Sequence, residues 1–84
     1  MNTPYENLAN AIIVQAAKDY KSVLRQLKKV PVPEPDAPKP EKKGYEQLLT
    51  EKSEILRFFH SAWYRTLTNV DPQIIIRNIE KEVG

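Results

Sequence analysis

The chain predicts an all-α fold, with two long amphipathic helices joined by a proline-rich linker and followed by a short C-terminal helix. Three observations carry that expectation. Apolar residues recur at spacings of three and four through two long stretches, five of the seven prolines are packed between Val30 and Pro40, and cap-plus-proline starts stand at Thr3-Pro4 and Asp71-Pro72. A chain of 84 residues buries a small fraction of its surface. The bundle is therefore expected to be a single small domain completed by oligomerisation.

The first helix is expected over about residues 4–29. Thr3 caps it, Pro4 suits the first turn and Glu6 completes a capping box. On a helical wheel Tyr5, Leu8, Ala9, Ile12, Ile13, Ala16, Tyr20, Val23, Leu24 and Leu27 form one broad apolar face. Lys18, Lys21, Arg25 and Lys28 form a basic stripe opposite it. The linker is placed at about residues 30–44, because proline rings fix φ and remove donors. In polyproline II form it could span on the order of 40 Å, which leaves the two helices free to be parallel or antiparallel. A docking-ligand reading of Pro35-Asp36-Ala37-Pro38 lacks a flanking arginine, so the segment reads as a stiff connector.

The second helix is expected over about residues 45–67, with Tyr45, Leu48, Leu49, Ile55, Leu56, Phe59, Ala62, Trp63 and Leu67 on one face. Phe59 and Trp63 read as core, four residues apart. Phe58 and Tyr64 fall off that face on opposite sides and need helix three, another subunit or a partner to cover them. Lys52, near the centre of the face, reads as a snorkelling side chain. Asp71-Pro72 then opens a third helix over about residues 72–83, in which Ile75, Ile76, Ile79 and Val83 share a face. The Ile74-Ile75-Ile76 run has strand propensity but no strand to pair with.

Composition narrows the chemistry. The absence of cysteine excludes disulfides, thiolate metal sites and cysteine nucleophiles, and a lone histidine leaves no His-based metal cluster. His60 and Ser61 are neighbours on one helix, where adjacent side chains point about 100° apart, so they do not form a catalytic pair. No carboxylate pair sits alone on an apolar face, and with only Gly44 and Gly84 there is no glycine loop for phosphate. The chain is expected not to be an enzyme and to need no cofactor. No run is long enough for a membrane span and the N-terminus lacks a signal-peptide plan, so a cytoplasmic protein is expected.

Two candidate sites remain. Phe58, Tyr64, Trp63 and Ile74 are the protein-interface candidates. Lys18, Lys21, Arg25 and Lys28, with Asp19 and Tyr20, are the anion or nucleotide candidates, because three- and four-residue spacing stacks charge along one side of a helix. Residues 1–29 hold a net +3 of the overall +2, with the linker and second helix balanced and the last segment at −1. The same stripe also reads as a solvated face that complements the helix dipole, and no aromatic interleaves it to stack on bases.

Three segments carry a family resemblance: Ala11-Ile12-Ile13-Val14-Gln15-Ala16-Ala17-Lys18-Asp19-Tyr20, then Leu24-Arg25-Gln26-Leu27-Lys28-Lys29, and Phe58-Phe59-His60-Ser61-Ala62-Trp63-Tyr64-Arg65-Thr66-Leu67-Thr68-Asn69-Val70-Asp71. They resemble a family of small proteins of unassigned function from phages and prophages of Gram-positive bacteria. Its pattern is an Asp-Tyr late in the first helix, then Phe-Phe-x-Ser-x-Trp-Tyr, Leu-Thr and an Asp-Gly turn. The chain departs from it at Asp71-Pro72-Gln73 and in its longer proline-rich linker. The resemblance implies a phage-encoded helical binding protein that acts stoichiometrically on a host protein, with inhibition of a bacterial immune system such as CRISPR as a counter-defence role. Two other readings stand beside it: an oligomeric sponge for a nucleotide signalling molecule, and a DNA-binding accessory protein, whose phosphate contacts would make binding steeply salt-dependent.

Overall fold

The computed structural model describes residues 4–36 and 38–84; of Pro4, Tyr5, Glu6, Pro40 and Glu41 it describes the backbone course alone. The expected cap Thr3 and the side chains of Tyr5 and Glu6 lie outside the described residues. Four helices follow one another: α1 (Pro4–Lys29), α2 (Lys39–Phe59), α3 (Ala62–Leu67) and α4 (Pro72–Val83). No strand occurs among the described residues, so the fold is all-α, a small helical bundle.

α1 is the shared spine, in contact with each of the other three helices. Further along α1 the neighbours come from earlier in α2. Ala16 and Asp19 share a cleft with Phe58, Tyr20 meets Phe59 with ring centroids 6.4 Å apart, and Gln26 shares a groove with Glu51. α1 and α2 are therefore antiparallel, which resolves the orientation left open by the linker's reach. α4 runs the other way, parallel to α1. Lys21 Nζ donates to Glu82 Oε1 at 2.6 Å and Lys28 Nζ to the Val83 carbonyl at 3.0 Å.

α2 starts six residues earlier than expected, at Lys39 instead of Tyr45. Pro38 takes the N-cap position with φ −56° and ψ 146°, and Pro40 falls in the first turn, where a missing N–H costs nothing. Gly44 is thus inside the helix, not ahead of it. The early turns of α2 project past the end of α1, alongside the linker, where the Lys42 ammonium donates to the Pro35 carbonyl. This overhang helps to draw the molecule out to 55 × 22 × 17 Å.

The second departure decides the site. The expected continuous helix over 45–67 is broken after Phe59. His60 closes α2, and Ser61 adopts extended backbone (φ −82°, ψ 160°) to begin α3. Ser61 Oγ donates to the Phe58 carbonyl at 2.7 Å and accepts the Tyr64 N–H at 3.2 Å, satisfying one orphan group on each side of the break. Stepping out of the helical twist for two residues changes the phase of everything after it. Tyr64 turns inward, 1% exposed, and Trp63 turns outward, 57% exposed. Trp63 is accordingly not core.

The core gathers Tyr20, Phe59, Tyr64, Ile76 and Ile79, with Ile13, Leu24, Ile55 and Phe58 packed against it. Each fully buried aromatic removes enough apolar surface for about 1.5–3 kcal/mol of stabilisation. α4 enters as its sequence dictates. The Asp71 carboxylate accepts the Gln73 N–H at 2.9 Å, Pro72 occupies the first turn, and Ile76 and Ile79 reach the core. The Tyr64 hydroxyl donates to the Val70 carbonyl at 3.0 Å, which fixes the approach to α4. Lys52 is half-buried at the α2 surface, while Leu8, expected on the apolar face of α1, is exposed.

Candidate functional site

Phe58 is the hinge of the site. Half-buried at the end of α2, its ring meets Phe59, Trp63 and Tyr64 at centroid separations of 5.6, 5.7 and 5.9 Å, the last two edge-on. Edge-to-face packing of this kind fixes ring orientation beyond what burial alone achieves. It holds the Trp63 indole upright at the surface, where α1 supplies Ala11, Ile12 and Ala16 to complete a shallow apolar cleft of ≈ 380 Å³. Gln15 and Asp19 form its polar rim, and Gln15 Nε2 donates to Asp19 Oδ1 at 2.9 Å.

Asp19 also belongs to a second groove of ≈ 360 Å³ between α1 and α2, in which Glu51 and Glu54 face Ser22 and Gln26. Apolar cleft and acidic groove are thus continuous along one flank of α1. Across the ridge made by Ser22 and Gln26, whose side chains are bonded at 3.2 Å, lies a basic cleft of ≈ 500 Å³ with Lys18, Lys21, Arg25 and Lys29. A further hollow lies within the linker, lined by residues from Val30 to Pro38.

The interface candidates separate in this structure. Phe58 and Trp63 share the cleft, whereas Tyr64 is buried in the core with its hydroxyl engaged, so it is a packing residue and not a docking one. Burial, helped by the Asp71 carboxylate, raises the Tyr64 phenol above its ordinary range. Ile74 is 55% exposed at the start of α4, where Val70 is also exposed.

The anion candidates separate as well. Tyr20 is buried and edge-on to Phe59, with its phenol raised by burial and then by Glu80, so it cannot stack on a ligand held by the stripe. Lys21 is bonded to Glu82, whose carboxyl is held below the usual range chiefly by that hydrogen bond. Lys28 donates to the carbonyl of Val83, the last residue of α4, at the negative end of the helix dipole. Two of the four expected cations therefore tie α4 to α1, while Lys18 and Arg25, with Lys29, face outward.

His60 and Ser61 are parted by the break itself. The Ser61 hydroxyl is committed to Phe58 and Tyr64, and His60 Nε2 stands 3.4 Å from Gln73 Nε2. Among the described residues no group of three or more His, Asp or Glu is placed to hold a metal ion, and no helix is long and apolar enough to cross a membrane.

Fold and site define a class, a small all-α bundle that displays a braced tryptophan beside an acidic groove. No family model, curated protein or solved structure matches the chain.

Proposed function

We propose that the chain is a stoichiometric binding protein that engages a protein partner through the Trp63 cleft. The observation that carries this reading is the 57% exposure of Trp63 in a ring cluster whose other members are buried or half-buried. Exposed indole area is costly to leave in water, and an indole already braced by Phe58 loses little freedom when a partner covers it. Those are the properties of an interface anchor. The acidic residues that continue the cleft favour a partner that offers an apolar anchor followed by cations. The phage-family resemblance supplies the setting: a phage-encoded protein in the bacterial cytoplasm, occupying a host protein in a counter-defence role.

The test is capture from a host lysate by wild type and by Trp63→Ala, with circular dichroism of both. The expected result is an unchanged helical spectrum and loss of proteins retained by the wild type. Equal retention by the two chains overturns the reading. The nucleotide-sponge alternative draws less support, since Tyr20 is buried and Lys21 and Lys28 are engaged with α4. Calorimetric titration with cyclic and linear nucleotides is expected to give no heat of binding. For DNA, a gel shift is expected to yield no salt-sensitive complex.

A further inference from the structure

The outward half of α1 is electrically two-sided. Along one flank run Trp63, Asp19, Glu54 and Glu51; along the other run Val14, Lys18, Arg25 and Lys29. The ridge between them is made by Ser22 and Gln26, with Ala11 further toward the N-terminus of α1. Levels along the axis also correspond. The Trp63 cleft is lined by α1 residues between Ala11 and Asp19, the level of Val14, which is itself 50% exposed. Asp19 is one residue from Lys18, and Glu54 and Glu51 share their groove with Ser22 and Gln26, the level of Arg25.

We propose that this surface docks a second copy of the chain, with the two α1 helices side by side and parallel about a two-fold axis running along them. The inference rests on the reading of the Trp63 cleft as a docking surface: the second copy covers it in the free protein, and a host partner reaches Trp63 by displacing that copy. A two-fold axis along the helix keeps every residue at its own level and exchanges the two flanks. Trp63 then covers Val14 of the second copy, Asp19 meets Lys18, and Glu54 and Glu51 meet Arg25 and Lys29, each contact occurring twice. A two-fold axis across the helices leaves the flanks unexchanged and sets cations against cations, so the charge pattern selects the parallel arrangement. Lys21 and Lys28, already bonded to α4, are not needed.

The test is sedimentation velocity on the full chain from micromolar to several hundred micromolar, at low and high salt. The expected result is a dimer that weakens as salt rises. Arg25→Glu and Glu54→Lys are each expected to weaken it roughly tenfold or more. Mixed one to one, the two variants are expected to form a heterodimer of wild-type strength, because Lys at 54 of one copy then meets Glu at 25 of the other and the second contact keeps its natural Glu54–Arg25 pair. A chain monomeric throughout the range, single reversals without effect, or a mixture that stays monomeric overturns the proposal. Because the sequence holds no cysteine, a thiol introduced as Asn7→Cys can carry one spin label. A label separation short relative to the length of α1 supports the parallel dimer, and one comparable with that length overturns it. Failures are distinguishable. A monomer whose partner capture still depends on Trp63 removes the second copy alone, whereas a charge-rescued dimer whose capture ignores Trp63→Ala removes the lysate-docking reading alone.

Discussion

The Ser61 hydroxyl oxygen accepts the backbone N–H of Tyr64 at 3.2 Å and thereby starts a new helix two residues after the last one ended. Serine at an N-cap stabilises by satisfying a donor that has no intrahelical partner. Ser61→Ala is expected to cost about 1 kcal/mol in urea unfolding. A variant with wild-type stability would show that the break is held by packing alone.

Tyr64→Phe keeps the ring in the core and removes only the bond to the Val70 carbonyl. A loss of about 1–1.5 kcal/mol is expected, together with faster hydrogen exchange of amides at the start of α4. Exchange confined to other segments would count against the hydroxyl as the pin of the α3–α4 connection.

Two aromatics four residues apart have opposite fates. Phe59→Ala opens the core and is expected to cost about 3–5 kcal/mol, enough to unfold so small a bundle. Trp63→Ala is expected to change stability by less than about 1 kcal/mol, as surface substitutions do. Thermal melts of the pair measure the contrast; similar losses in both would place the indole in the core.

Gly44 lies inside α2 with ordinary backbone, and a Cβ there would meet nothing within 4 Å. Gly44→Ala is expected to raise helicity and to stabilise by up to about 1 kcal/mol. No gain would mean that the early turns of α2 are decoupled from the cooperative unit.

The pH dependence has two limbs with different origins. Because Glu82 has a lowered pKa in the folded state, its contribution is complete above the ordinary carboxylate value and is lost as pH falls through the depressed one. Tyr20 and Tyr64 are raised, so their contributions are complete below the ordinary phenol value, about 10, and are lost as pH climbs through the raised values. Unfolding midpoints across pH are expected to show a flat centre, an acid limb reduced in Glu82→Gln and an alkaline limb reduced in Tyr64→Phe. Limbs unchanged in both variants would contradict the assignment.

How much of this was legible beforehand depends on where local and distant signals agree. α1 and α4 ran as their periodicity and prolines required, and Ile76 and Ile79 reached the core. α2 was legible in type but not in extent, because Pro38 and Pro40 look like linker residues until one sees that both fit a helix start. The break at His60-Ser61 had a signal in Ser61, a strong N-cap residue, but Phe59 and Trp63 at helical spacing argued for continuity. One local choice exchanged the fates of Trp63 and Tyr64. The cleft was legible as an aromatic cluster but not as a surface, and the acidic groove was missed. Glu51 and Glu54 carry no local signal of a groove, which exists only because the antiparallel packing of α2 on α1 sets them beside Asp19.

The spine role of α1 also orders assembly. α2 returns along it directly after the short linker, while the Lys21–Glu82 pair that secures α4 joins residues 61 apart in the chain. Closing that long span from an open coil is entropically slower than closing the hairpin. Once α2 has folded back, Phe59 lies against Tyr20 and the path from there to α4 is short. The hairpin turns a distant closure into a local one, so the antiparallel pair serves as the template on which the last helix is received.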